Sequence, residues 1–136
     1  VTRRRFPDGF LLGCATAAHQ VEGHTDNDWS RWEREHPERI AGGATSAVAC
    51  DHYARFRDDL ASLAARGQNA HRYSVEWSRV EPQPGCFDES QLRHYVEVAR
   101  ACRELGMEPV VTLHHFTFPR WLADRGGAAS SEAPRM

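Results

Sequence analysis

The chain has 136 residues, 40% of them hydrophobic and 26% charged, which suits one folded domain with a single core and excludes a disordered chain. The formal net charge is −2, and the 17 basic residues, all arginines, are scattered along the chain. Charge therefore predicts neither a nucleic-acid surface nor an anionic membrane as partner.

At the amino terminus, "TRRR" ahead of "FLLGCATAA" has the layout of an export signal. Pro7, Asp8 and Gly9 separate the charge from the apolar run, and Gly13 and Thr16 interrupt that run. The expectation is a cytoplasmic chain with no membrane span. Residues 10–15 predict a short buried strand that runs out into the polar Gln20 and Glu22. Residues 24–50 read as a long connection rich in Gly, Asp and Asn, with one helical turn at "DWSRWERE". The charged run over 31–39 reads as a solvated surface.

A helix follows over "DHYARFRDDLASLAARG", with Tyr53, Phe56, Leu60 and Leu63 at helical spacing and Gly67 as its stop. "AHRYSVEW" starts a strand, and Pro82, Pro84 and Gly85 mark the loop after it. Asp88 caps a second helix, with Gln91 three positions on as a weak capping box and Leu92, Tyr95, Val96, Ala99 and Cys102 as its apolar face. Gly106 ends that helix, and "EPVVTLHH" is a strand rich in β-branched residues. "SSEAPRM" reads as the first turn of a third helix, capped by Ser130 or Ser131.

Gly67 and Gly106 lie 39 positions apart, each between a helix and a strand, so the pattern repeats as a βα unit. Alternating strands and helices predict an α/β fold with a parallel sheet, whose chemistry belongs at the carboxyl ends of the strands. Those ends carry Gln20 and Glu22, then Arg72 to Trp77, then His114 and His115. A nucleotide-binding module fails, since neither GxGxxG nor GxxxxGK[ST] occurs. The His114–His115 pair does not predict a metal site: adjacent strand residues point to opposite faces, and no zinc spacing is present. The four cysteines, Cys14, Cys50, Cys86 and Cys102, show no CxxC pairing and read as reduced structural thiols. Trp29, Trp32, Trp77 and Trp121 read as core or rim packing before a sugar-stacking surface.

Three ordered segments resemble glycoside hydrolase family 1, the β-glucosidase and β-glycosidase family. "FLLGCATAAHQVEG" is similar to its amino-terminal signature, through Phe10, Gly13, Ala15, Ala17, Ala18, Gln20, Glu22 and Gly23. "HRYSVEWSRVEPQPG" resembles its second-strand segment through Arg72, Ser74, Trp77, Ser78, Arg79 and Pro82. "TLHHFTFPRWL" resembles the third-strand segment through Thr112, Leu113, His115, Pro119 and Trp121.

The resemblance implies an incomplete (β/α)8 TIM barrel: residues 1–136 form its amino-terminal portion, strands one to three with the first two barrel helices, cut near the start of the third. It implies retaining hydrolysis of a small β-glycoside by two glutamates about 5 Å apart, without metal or other cofactor. The family places them in Asn-Glu-Pro and Glu-Asn-Gly motifs. Neither tripeptide occurs here, so no catalytic residue is assigned, and Glu81-Pro82, which follows Val80, is a decoy. Gln20 and His115 match residues that hydrogen-bond the sugar, and amide and imidazole suit hydroxyl recognition. Arg72 matches the arginine beside the nucleophile, and Glu22 is expected to support its loop. Phe116 stands where the family often has tryptophan, keeping an aromatic platform without an indole N–H. The rival expectation is a non-catalytic interaction piece that completes a split barrel or self-associates through the open sheet edge.

Overall fold

The computed structural model describes residues 5–131 and 133. Three strands, β1 (Gly13–Ala15), β2 (Ala70–Ser74) and β3 (Glu108–Thr112), form a parallel sheet in the order β1-β2-β3. The register pairs Gly13 with Ala70 and Ala15 with Arg72, and on the other side of β2 it pairs Ser74 with Thr112. The short helices α1 (Ala18–Val21) and α2 (Asp28–Glu35) follow β1, and α3 (His52–Ala65) makes the crossover to β2. One turn, α4 (Trp77–Val80), then α5 (Glu89–Glu104), connect β2 to β3, and α6 (Arg120–Ala123) lies beyond. None of the helices described is long and apolar enough to cross a membrane.

The core lies between the sheet and the two long helices. Phe56 and Leu60 of α3 meet Tyr73 of β2, Val98, Ala101 and Cys102 of α5, and Met107 just before β3. At about 25 cal/mol per Å² of apolar surface, such burial is the main force holding helices to the sheet. His71 is fully buried beneath the sheet, and its Nδ1 lies 3.1 Å from the Cys14 thiol across β1 and β2. Burial, with the nearby His52 and Arg72 charges, holds His71 down at about 4, so it is neutral at ordinary pH. All four cysteines are free thiols, and burial pushes Cys102 up to about 11.

Several sequence expectations are corrected. The strand read over 10–15 is shorter and is not buried: Phe10, Leu11 and Leu12 are 45%, 52% and 54% exposed. Backbone pairing reaches only Leu12, whose O accepts from Asn69 N at 2.9 Å; the Asn69 side chain then accepts from Leu12 N at 2.6 Å and donates to Phe10 O at 2.9 Å. On α5, Leu92 and Val96 are exposed, while Tyr95, Val98, Ala101 and Cys102 are buried. The helix is turned by polar partners on its packed side: Tyr53 donates to Gln91 at 2.7 Å and stacks on His94 at 3.7 Å. Gln91 is thereby engaged with α3, so Asp88 caps Ser90 and Gln91 without a reciprocal side-chain bond. The β2 and β3 segments end at Ser74 and Thr112, earlier than the sequence runs suggest. The third-helix reading falls on residues partly outside the described ones, and Ser130 itself ends a 3-10 turn over Gly127–Ala129.

Gly23 closes the first strand-end turn at φ +74°, and a β-carbon there would lie 2.2 Å from the carbonyl oxygen of Val48. Gly9 has a similar φ of +78° but open space around it. Gly9→Ala should therefore cost about 1 kcal/mol for the left-handed backbone alone, and Gly23→Ala about 1–3 kcal/mol more for the clash. Urea unfolding midpoints of the two variants check this, equal losses being the contrary result.

Candidate functional site

The carboxyl ends of the three strands are tied together before any side chain faces solvent. Thr16 N donates to Arg72 O at 2.9 Å, and Arg72 Nη1 returns a bond to Thr16 O at 2.6 Å. Ser74 Oγ accepts from Ala18 N at 2.8 Å, and Val75 N donates to Thr112 O at 3.0 Å. Arg72 is thus half-buried at the end of β2, with its guanidinium held against the first loop.

Gln20 stands on α1 with its side chain exposed, while its neighbour His19 is buried. His19 Nε2 lies 3.3 Å from Glu33, whose other carboxylate oxygen accepts from Ser46 N and Oγ. Glu33 therefore belongs to an internal connection, unlike the solvated surface expected of its charged run. The edge of His19 meets Trp29 at 5.6 Å, and Trp29 stacks parallel on Phe116 at 6.0 Å and 10°. Phe116 in turn meets His115 edge-on at 4.7 Å. His19 and His115, far apart in sequence, are thus linked by a run of ring contacts that leaves Trp29 and Phe116 exposed at 46% and 65%, while the Gln20 side chain takes no part in it. Phe116 has φ +68°, a left-handed conformation strained for a bulky residue.

Below this surface lies a buried polar layer. Glu22 pairs with Arg79 (Nε to Oε2, 3.0 Å) and accepts from the Tyr95 hydroxyl at 3.1 Å. Arg79 also donates to Gly23 O at 2.6 Å and lies 4.1 Å over the Tyr53 ring. Desolvation pushes Glu22 up from 4.5 to about 7, against the opposing pull of Arg79 and Tyr95 and with the Glu76 charge adding to the rise. Glu76 accepts from Asn27 Nδ2 at 3.2 Å, Ser78 Oγ at 2.8 Å and Thr117 Oγ1 at 3.2 Å. Glu81 is held by Trp77 Nε1 at 2.7 Å and Gly85 N at 2.8 Å, which makes the Glu-Pro dipeptide a loop closure. Trp121 Nε1 donates to Glu81 O, so Trp77 and Trp121 pack the loops, whereas Trp29 faces the surface.

His114 lies stacked on Phe118 at 4.8 Å and edge-on to Trp77 at 5.9 Å. Among the described residues no group of three or more His, Cys, Asp or Glu side chains is arranged to hold a metal ion. His115, Phe116 and Trp29 adjoin one another and Gln20 is exposed on α1; imidazole, aromatic and amide groups are types that recognise hydroxyl-rich rings. Arg79, Tyr95, Asn27, Glu76 and Thr117 were not assigned roles from sequence. Arg79 had a signal, its place beside Ser78 in the second-strand segment. The others reveal themselves only through contacts across 41 to 73 residues.

The family model for glycosyl hydrolase family 1 matches residues 2–133. The chain belongs to that family. Thermostable β-glucosidase B of Thermobispora bispora is 38% identical over 132 residues, covering 93% of this chain and 28% of the relative. The solved family 1 β-glucosidase from Thermotoga maritima superposes with a TM-score of 0.85 at 34% identity, over 92% of this chain and 30% of that one. The β-glycosidase from Pyrococcus horikoshii superposes with 0.79 at 40% identity, over 90% and 28%. The chain spans less than a third of the length of these relatives. As a family 1 chain its three parallel strands and two long helices are part of a (β/α)8 barrel, the fold implied by the resemblance.

Glu22 binds its proton more tightly folded, near 7, than an exposed glutamate does, near 4.5. Its contribution to stability is complete below about pH 4.5 and is lost as the pH rises through 7. Glu22→Gln should flatten the stability profile over that window, and urea unfolding at a series of pH values measures the slope. An unchanged slope would contradict the assignment.

Proposed function

We propose that this chain is the amino-terminal part of a retaining β-glucosidase-like enzyme, contributing half of a sugar site and neither catalytic glutamate. Gln20 and His115 bind hydroxyls of a small β-glycoside, Phe116 supplies an aromatic face, and Arg72 orients the nucleophile carboxylate contributed by the rest of the barrel. Glu22 supports the first loop from below. The observation that carries this reading is the run of ring contacts from His19, the residue before Gln20, through Trp29 and Phe116 to His115. The carboxylates of Glu22, Glu76 and Glu81 are each engaged by internal donors, which supports leaving acid and nucleophile outside this chain. Retention needs two carboxyl groups about 5 Å apart across the scissile bond, one attacking the anomeric carbon and one protonating the leaving oxygen.

The test is a chimera in which this chain replaces the corresponding third of the Thermotoga maritima β-glucosidase. The chimera should hydrolyse 4-nitrophenyl β-glucoside, and the 136-residue chain alone should not. Gln20→Ala or His115→Ala in the chimera should each lower kcat/KM about 10- to 100-fold, the loss expected for one or two hydrogen bonds to substrate. Hydrolysis by the chain alone that survives repurification would overturn the assignment and direct attention to Glu81.

A second reading rests on the sheet edges. β1 and β3 are both edge strands, and Val110, Val111 and Leu113 are 44%, 46% and 78% exposed. Such an edge favours self-association of the chain or completion of a split barrel. Sedimentation should then show mass rising with concentration, and Val110→Lys should reduce it; a monomer at every concentration removes the self-association.

A further inference from the structure

We propose that Glu76 is a positioning residue, whose buried carboxylate fastens the loops after β1, β2 and β3 to one another and so keeps Phe116 in its left-handed conformation beside Trp29. The role rests on the sugar-site reading of His115 and Phe116, but its geometry is independent of it.

Glu76 is 1% exposed, and the donors to its carboxylate come from three different loops. Asn27 belongs to the first, Ser78 to the second and Thr117 to the third. These donors, and Ser78 N at 3.4 Å as a fourth, are all neutral, so the carboxylate is held by geometry in place of a counter-charge. Its backbone N donates to the Tyr95 hydroxyl at 3.0 Å, which fixes the residue itself against α5.

The two outer arms end on the elements that build the surface. Asn27 is fully buried, and its Oδ1 caps α2 by accepting from Ser30 N at 2.8 Å, so its amide nitrogen is what reaches Glu76. The next residue, Asp28, donates from its N to Phe118 O at 3.0 Å and accepts from Phe118 N at 2.8 Å. First and third loops therefore run side by side, with Asn27 bridged to Pro119. Thr117 directly follows Phe116, so the strained residue is bracketed by the Glu76 bond and by the Asp28–Phe118 pair. A left-handed phenylalanine persists only where its surroundings over-determine it, and these bonds are that surrounding. Without Glu76, Asn27 Nδ2 loses its carboxylate acceptor and Thr117 Oγ1 loses its own, in a region too buried for water to substitute freely.

Polarity provides the test. Glu76→Gln preserves shape and one acceptor oxygen, which serves Ser78, and the Thr117 hydroxyl can rotate to accept from the introduced amide. Asn27 Nδ2 cannot accept, so that arm alone becomes donor against donor. Adding Asn27→Asp reverses the arm: the new carboxylate accepts from the introduced amide and from His19 Nδ1, which lies 3.3 Å from Asn27 Nδ2 and takes the donor role there, and its other oxygen still caps α2. Amide hydrogen exchange of the 136-residue chain reads each loop separately. In Glu76→Gln the amides of Asp28 and Phe118 should exchange at least about tenfold faster while those of α5 stay unchanged, and the double variant should restore them. No acceleration, acceleration spread equally through α5, or no restoration by the double variant would each overturn the proposal. No sugar enters this measurement, so failure of the hydrolysis assay with restored exchange would count against the sugar-site reading alone.

Discussion

Arg79 carries the positive charge of the polar layer under the strand ends, and two separate elements lean on it, the turn at Glu22 and Gly23 and the helix α3. Its guanidinium neutralises Glu22, bonds the carbonyl of Gly23 and lies flat over Tyr53 of α3. A planar, permanently charged group can do all three at once, which lysine could not. Removing one partner of such a buried pair typically costs about 3–5 kcal/mol, because the other charge is left without compensation. The position of α1, and with it Gln20, follows from that contact, since Glu22 and Gly23 are the residues that end the turn.

The layer has more negative groups than positive ones, and the geometry shows how this is tolerated. Tyr95 serves both carboxyl-bearing residues, donating to the Glu22 side chain and accepting from the Glu76 backbone. Burial and the Glu22 charge raise the phenol far above its ordinary value, so it remains a dependable donor throughout the physiological range. Glu76 relies on amide and hydroxyl dipoles instead. The result is a hydrogen-bonded polar layer, with Gln20, Trp29 and Phe116 exposed on the loops that it ties together.

Much of this was legible in sequence because the signals were local. Tyr53, Phe56, Leu60 and Leu63 follow one helical stripe, and Asp88 caps a helix as its residue type suggests. The ordered motifs carried the family and the barrel. The errors arose where a contact from elsewhere in the chain outweighed the local pattern. Leu92 and Val96 looked like core until Tyr53 claimed Gln91 and His94 for the packed side of α5. The hydrophobicity of Phe10 to Leu12 implied a buried strand, but burial needs neighbours on both sides, and β1 has one. Glu76 was invisible for the same reason: a lone glutamate in a strand-end run has no periodicity, and its three partners come from three loops.

The Asn69 side chain at the edge of the sheet also bears on how the chain reaches its fold. Its side chain bonds Phe10 and Leu12, 59 and 57 positions earlier, while its backbone nitrogen bonds Leu12 again and its backbone oxygen accepts from Glu108. One asparagine thus sets the alignment of both neighbours of β2 at the amino end of the sheet. The β2–β3 pairing joins residues closer in sequence than the β1–β2 pairing, as Ala70 with Glu108 against Gly13 with Ala70, so it carries the smaller loop-closure cost. A slip of one residue at this edge would forfeit both side-chain bonds together, so the asparagine guards the register of a strand only three residues long.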